Sequence, residues 1–182
     1  MPRIRKPYEK VKMNVVNQSQ RISHPVLIVL HATEGHNRHG TVDLKNLGNY
    51  FDNPDVQASS HVAVDAEGNL ARYVPDGKKA WTCAGFNSVS LNIEQVGFSA
   101  QKVWPNAQER KVAKMIAYWS WKYAIPIRKA IVNSNTGAIY KTGVLQHSDL
   151  GTYGGNHGDC GPNYPFERVL RFARWYKKTG VR

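Results

Sequence analysis

Val26-Leu-Ile-Val-Leu-His-Ala-Thr-Glu-Gly35 is an unbroken apolar run that ends in a histidine and passes at once into a turn. A short apolar run bounded by turn signals predicts a buried strand. That strand is a rigid platform with His31 at its end, where the chain leaves the core. A histidine there can be a hydrogen-bonded structural residue or a ligand, and only its partners decide.

Working outward, Glu34 to Gly40 is a polar loop whose His36 and His39 are expected at the surface. Thr41 is a candidate N-cap for a helix through about Phe51, with Val42, Leu47, Tyr50 and Phe51 as its apolar face. Ala58 to Asp65 and Asn69 to Pro75, around Glu67-Gly68, predict a β-hairpin. Ser90 to Gly97 predicts a strand with Leu91, Ile93 and Gln95 on one face and Asn92, Glu94 and Val96 on the other. Asn106 and Glu109 have capping-box spacing and open a long helix carrying Val112, Ile116, Trp119 and Tyr123. Gly143-Val-Leu-Gln-His147 is a second short strand ending in histidine, followed by a glycine-rich loop over 151–161. Pro165 opens a last helix to about Tyr176, on which Arg168, Arg171 and Arg174 make a basic face. Residues 1–25 read as an extended basic lead-in, and 26–178 as one α/β domain with a central mixed sheet flanked by helices.

The 182 residues carry 25 Lys and Arg against 13 Asp and Glu, a net charge of +12. Such a surplus attracts polyanions, and no nucleic-acid motif accompanies it. No apolar run approaches the roughly 18 to 20 residues that span a bilayer, so no membrane insertion is expected. The basic N-terminus has no apolar stretch behind it, so it does not read as a signal peptide. Cys83 and Cys160 are too few for a disulfide framework; they could be free thiols, one bridge, or, for Cys160, a ligand.

A catalytic zinc takes three protein ligands and leaves a fourth position for water. His31, His147 and one group from the loop holding His157, Asp159 and Cys160 would satisfy that requirement. Spacing alone makes this a weak signal.

Several segments resemble the zinc-dependent N-acetylmuramoyl-L-alanine amidases, in the superfamily of type 2 amidases, phage lysozyme-amidases and peptidoglycan recognition proteins. They are Leu30 to Gly35, Ala58 to Asp65, Ala80-Trp81, Asn87 through Ile93-Glu94-Gln-Val-Gly97, Gln146-His-Ser-Asp149 and Asp159-Cys-Gly-Pro-Asn-Tyr-Pro165. They occur in the family's order across residues 26 to 175. The resemblance implies an amidase-like fold and one catalytic Zn2+ held by His31, His147 and Asp159. The family's Asp-Pro-Gly-Pro here reads Asp-Cys-Gly-Pro, and sliding by one residue would select Cys160 as the third ligand.

By position the resemblance also implies Glu94 as the catalytic carboxylate and His157 as an oxyanion donor. Thr33, His61, Trp81 and Asn87 are expected at the substrate groove. The implied reaction is hydrolysis of the bond between N-acetylmuramic acid and L-alanine by a zinc-activated water. A monomeric phage endolysin is expected, made in the cytoplasm and released to the wall through a membrane lesion. Peptidoglycan would be its partner, with anionic wall polymers in addition. The rival readings are a peptidoglycan-binding module, a basic regulator of the same fold, and a wall-recycling amidase.

Overall fold

In the computed structural model, which describes residues 3–38 and 40–180, every residue of the strand Leu27–Ala32 (β3) is buried. Parallel neighbours explain this. Ser90–Gln95 (β7) lies on one side of β3 and Gly143–Gln146 (β10) on the other, both parallel to it. Val62–Val64 (β4) runs parallel to β7 and pairs antiparallel with Leu70–Arg72 (β5). The turn between them, Asp65 to Asn69, is tied by Asp65 Oδ1, which accepts from the Glu67 and Asn69 amides. Val11–Lys12 (β1) pairs with β5 and closes a mixed sheet of order β1-β5-β4-β7-β3-β10.

The alternation of β3 splits the core. Ile28, Leu30 and Ala32 face the helices Asn106–Tyr123 (α2) and Phe166–Thr179 (α3), joining Leu91 and Ile93 of β7. Leu27 and Val29 face the other way, against Cys83, Phe86 and Leu150. A third apolar cluster lies under the helix Val42–Phe51 (α1), with Leu44 and Phe51 packed on Ala63, Ala71 and Tyr73. Gly48 of α1 makes room for Met13, whose Sδ would stand 2.2 Å from a Cβ there and would have to swing aside.

Several expectations are corrected by packing. The buried stripe of α1 is Leu44, Gly48 and Phe51, with Leu47 partly buried against the same cluster; Val42 is exposed, and so is Tyr50, which lines a cleft. No capping box opens α2. Asn106 accepts from Arg110 instead, and Glu109 is buried in a paired contact with Arg168 of α3. The arginines of α3 do lie on one exposed face, along which Arg168 also binds Glu109 and Arg174 donates to the Ile127 carbonyl. Three short elements had no signal: Lys78–Ala80 (β6), Ile131–Val132 (β8) and Ile139–Lys141 (β9). The basic segment before β3 supplies β1 and also Gln18–Gln20 (β2), which pairs with β6. Its Val11 and Val15 are core residues.

Arg21 staples that segment to the domain. Its guanidinium donates to the carbonyls of Asp76, Lys78, Ser88 and Ser90 at 2.7–3.2 Å, and lies 2.9 Å from His61 Nε2. His61 is fully buried, with Nδ1 accepting from the Asn92 amide at 3.1 Å. Burial pushes the His61 imidazole down to about 3, and the Arg21 charge adds to that push. Burial raises the nearby Asp76 carboxyl, but Arg72 and Lys122 overcome it and hold Asp76 at about 2.

The signs set an acid window. An unfolded histidine titrates near pH 6.5, so the stability from neutral His61 is complete above that pH. It declines by about 1.4 kcal/mol per pH unit as pH falls from roughly 6.5 towards 3. The Asp76 contribution is complete above its unfolded value of 3.8 and is lost as pH falls through about 2. Between pH 7 and 4.5, acid should therefore cost the parent protein more stability, read from urea midpoints, than it costs His61→Gln. An equal loss in the variant would remove His61 as the cause.

Candidate active site

Strand register builds the site. His31 and Glu94 are cross-strand partners on β3 and β7, and Gln146 opposite Leu30 brings His147 beside His31. The three parallel strands end on one edge, where open α/β sheets place their ligand crevices. The loop after β10 returns to that edge, and Asp159 Oδ2 accepts the Ala32 amide at 3.0 Å.

His31 Nδ1 and His147 Nδ1 are 3.0 Å apart. Asp159 Oδ1 lies 3.2 Å from His147 Nδ1, and Asp159 Oδ2 lies 3.6 Å from His31 Nδ1. One ligand atom from each residue falls within 4.8 Å of the others. The far side of each ring sets its tautomer. His31 Nε2 sits 3.1 Å from Asn92 Oδ1, and His147 Nε2 sits 3.0 Å from the Gly154 carbonyl. Both partners can only accept, so each Nε2 carries the proton and each Nδ1 presents a bare lone pair. Two lone pairs and a carboxylate then converge with no donor between them. That is the donor set of a cation, and two imidazoles with one carboxylate suit zinc.

The electrostatics agree. Burial lowers the His31 imidazole, which keeps it neutral, against the opposing pull of the adjacent Asp159 carboxylate. Burial alone would raise the Asp159 carboxyl, but the proximity of His147 and His31 holds it well below the usual range. Glu94 is 8% exposed, has no hydrogen-bond partner among the described residues, and is pushed up to about 8 by burial and then by the Asp159 charge.

These groups line a cleft of about 280 Å³, together with Thr33, Leu47, Tyr50, Ser59, Trp81 and His157. His157 is exposed at the mouth, its ring stacked on His147 at 4.4 Å between centroids. Trp81 is held by its indole N–H, which donates to Ser19 Oγ at 3.0 Å. The cleft continues in two directions. One arm runs past Thr33, His36 and Arg38 along α1, the other past Glu34, Ser99 and Asn163.

Not every expected groove residue reaches the cleft. His61 lies beneath the site, walled in by Arg21 and Asn92, and does not line it. Asn87 turns inward, its Oδ1 accepting from the Thr82 and Cys83 amides, so it shapes the Trp81 loop instead. His36 is exposed beside Phe98, and His39 lies outside the described residues. Cys83 and Cys160 are both free and buried, packed in clusters on opposite faces of β3. Cys160 Sγ accepts from Gln95 and takes no place in the ligand cluster. Two partners escaped the sequence reading: Asn92, whose alternation with Glu94 could have revealed it, and the Gly154 carbonyl, which carries no residue signal.

A family model described as N-acetylmuramoyl-L-alanine amidase matches residues 21–162. Solved structures share the fold. A selenomethionine derivative of AmpD is 19% identical with a TM-score of 0.69, over 92% of this chain and 96% of that one. The endolysin N-acetylmuramoyl-L-alanine amidase LysCS from Clostridium intestinale is 18% identical with a TM-score of 0.61, over 96% and 99%. The Staphylococcus aureus hydrolase AmiA, solved with its ligand, is 18% identical with a TM-score of 0.69, over 98% and 88%. No curated protein matches the chain.

Proposed function

The chain belongs to the N-acetylmuramoyl-L-alanine amidase family, and from that premise we propose that it hydrolyses the amide joining N-acetylmuramic acid to L-alanine in peptidoglycan. The observation that carries the reading is the convergence of two bare imidazole lone pairs and the Asp159 carboxylate beside the unpartnered Glu94. Zinc bound by His31, His147 and Asp159 would supply an activated water and polarise the scissile carbonyl.

The chain's own groups do the rest. Glu94, on the same sheet face as His31, takes the proton of the attacking water and returns it to the departing amine of L-alanine. A carboxyl already destabilised as an anion by burial is a stronger base than one in water, and a cation beside it offsets the charge of Asp159. His157, exposed on the outer side of His147, presents an N–H towards the oxygen that gains charge. Trp81, Thr33, Leu47 and Tyr50 form walls that orient the sugar and the peptide to either side of the amide. The two arms of the cleft give an elongated substrate room to continue past the reacting bond.

We assign the activity to wall lysis of the endolysin kind. The +12 charge favours an anionic wall, and no helix among the described residues is long and apolar enough to cross a membrane. Digestion of purified sacculi tests the proposal. Free amino groups of L-alanine should appear, cease when a chelator is added and return with zinc. Release that ignores the chelator, or reducing sugar ends alone, would overturn it, and a preference for soluble muropeptides over sacculi would turn lysis into recycling.

A further inference from the structure

A second cavity, of about 290 Å³, shares no residue with the catalytic cleft. It is formed where the N-terminal segment crosses α2 and the end of α3, and Ile4, Pro7 and Tyr176 make its apolar wall. Its charged lining is wholly cationic: Arg5, Lys6, Lys111 and Lys114. Lys6 is answered by Glu9 at 2.5 Å, but Glu9 is also shared with Arg72. Arg5, Lys111 and Lys114 have no ion pair among the described residues, and Lys114 rests on the Tyr176 ring, 5.2 Å from its centroid.

This arrangement costs stability in the absence of a ligand. Lys111 and Lys114 are three residues apart on one helix, so their ammonium groups are neighbours and repel. Burial, and then the charge of Lys114, lowers the Lys111 ammonium and outweighs the opposing pull of Asp65. Surface lysines on a helix ordinarily relieve such repulsion by spreading into water or pairing with a carboxylate. Here the N-terminal segment and α2 hold the cations around a concave apolar wall, which matches a chain that alternates anionic groups with short uncharged segments.

We propose that this cavity binds the phosphodiester backbone of an anionic polyol-phosphate polymer of the cell wall. Phosphate oxygens meet Lys111, Lys114 and Arg5, and the polyol carbons lie on Ile4, Pro7 and Tyr176. The site would hold the protein at the wall while the cleft works on peptidoglycan. The choice of polymer rests on the wall-lytic function proposed above; the anion site rests on the cavity itself.

Calorimetric titration of the full-length chain with soluble poly(glycerol phosphate) tests it. The dissociation constant should rise about tenfold or more in Lys111→Glu/Lys114→Glu, and less but in the same direction in Lys111→Gln/Lys114→Gln. A control pair of equal charge change at exposed positions outside the cavity, Lys102→Glu/Lys141→Glu, should shift it by no more than about threefold. All variants should cleave a soluble muropeptide at the parent rate, which also reports that they fold. Equal weakening in the cavity and control pairs would reduce the effect to net charge and overturn the site, as would absence of binding by the parent protein. Tighter binding of a single-stranded oligonucleotide through the same lysines would overturn the polymer in favour of nucleic acid. Polymer binding that persists in a protein unable to cut the amide would support the site and count against the hydrolase reading alone.

Discussion

Glu94→Gln should lower the rate of amide hydrolysis by about three orders of magnitude, within the range removed with a positioned general base. It should leave the bound metal and the melting temperature almost unchanged. The side chain keeps its shape, and Glu94 makes no hydrogen bond among the described residues that the amide would break. The cluster that could hold a metal, His31, His147 and Asp159, is left intact. What disappears is an acceptor for the proton of water in a cleft where burial already disfavours the carboxylate. The measurement is kcat on a defined muropeptide, with metal content by atomic absorption on the same preparation. A variant that keeps a tenth or more of the parental rate with its metal in place would show that another group carries the proton.

The parts of this fold that announce themselves are those governed by continuous runs. β3 is legible because burial on both faces demands an apolar residue at every position, and the same demand makes His31 conspicuous at its end. The α2 stripe of Val112, Ile116 and Trp119 is legible for the same reason, at helical period. Where one residue type serves two purposes, the pattern misleads. Tyr50 looks like core on a helical wheel, yet it is exposed and lines the cleft, and Leu47 serves both the core and the cleft wall. Glu109 fits a capping box by spacing, but α3 offers it Arg168, a stronger partner that only tertiary packing supplies.

The site divides along the same line. His31, His147 and Asp159 could be singled out as residue types, and the parallel register of β3 and β10 explains why they meet. The atoms that set the histidine tautomers could not be read so directly. One is a backbone carbonyl at Gly154, and the other is an Asn92 side chain fixed by Ser90 and His61. Two-residue strands such as β1 are too short to show any period, so the segment before β3 gave no hint that its valines are core.

Asp159→Ala should abolish hydrolysis and weaken zinc binding on the order of a thousandfold, whereas Cys160→Ala should keep both. The contrast is sharp because the two residues are adjacent and both buried, yet they face different surroundings. Asp159 stands 3.2 Å from His147 Nδ1 and takes the Ala32 amide, so its loss removes a ligand charge and leaves a buried N–H without an acceptor. Cys160 Sγ instead sits among Ile93, Trp104 and Tyr164, with burial pushing its thiol well above the usual range, which disfavours the thiolate that a metal requires. Its truncation should cost only the packing of one sulfur, about 1–2 kcal/mol. Thermal melts with and without zinc separate the cases. The parent and Cys160→Ala should both gain stability as zinc is added, because an ion that binds only the folded state shifts unfolding by mass action. Asp159→Ala should melt at one temperature regardless of zinc. A zinc-dependent melt surviving in Asp159→Ala and lost in Cys160→Ala would move the third ligand to the cysteine and require the loop after β10 to turn by one residue.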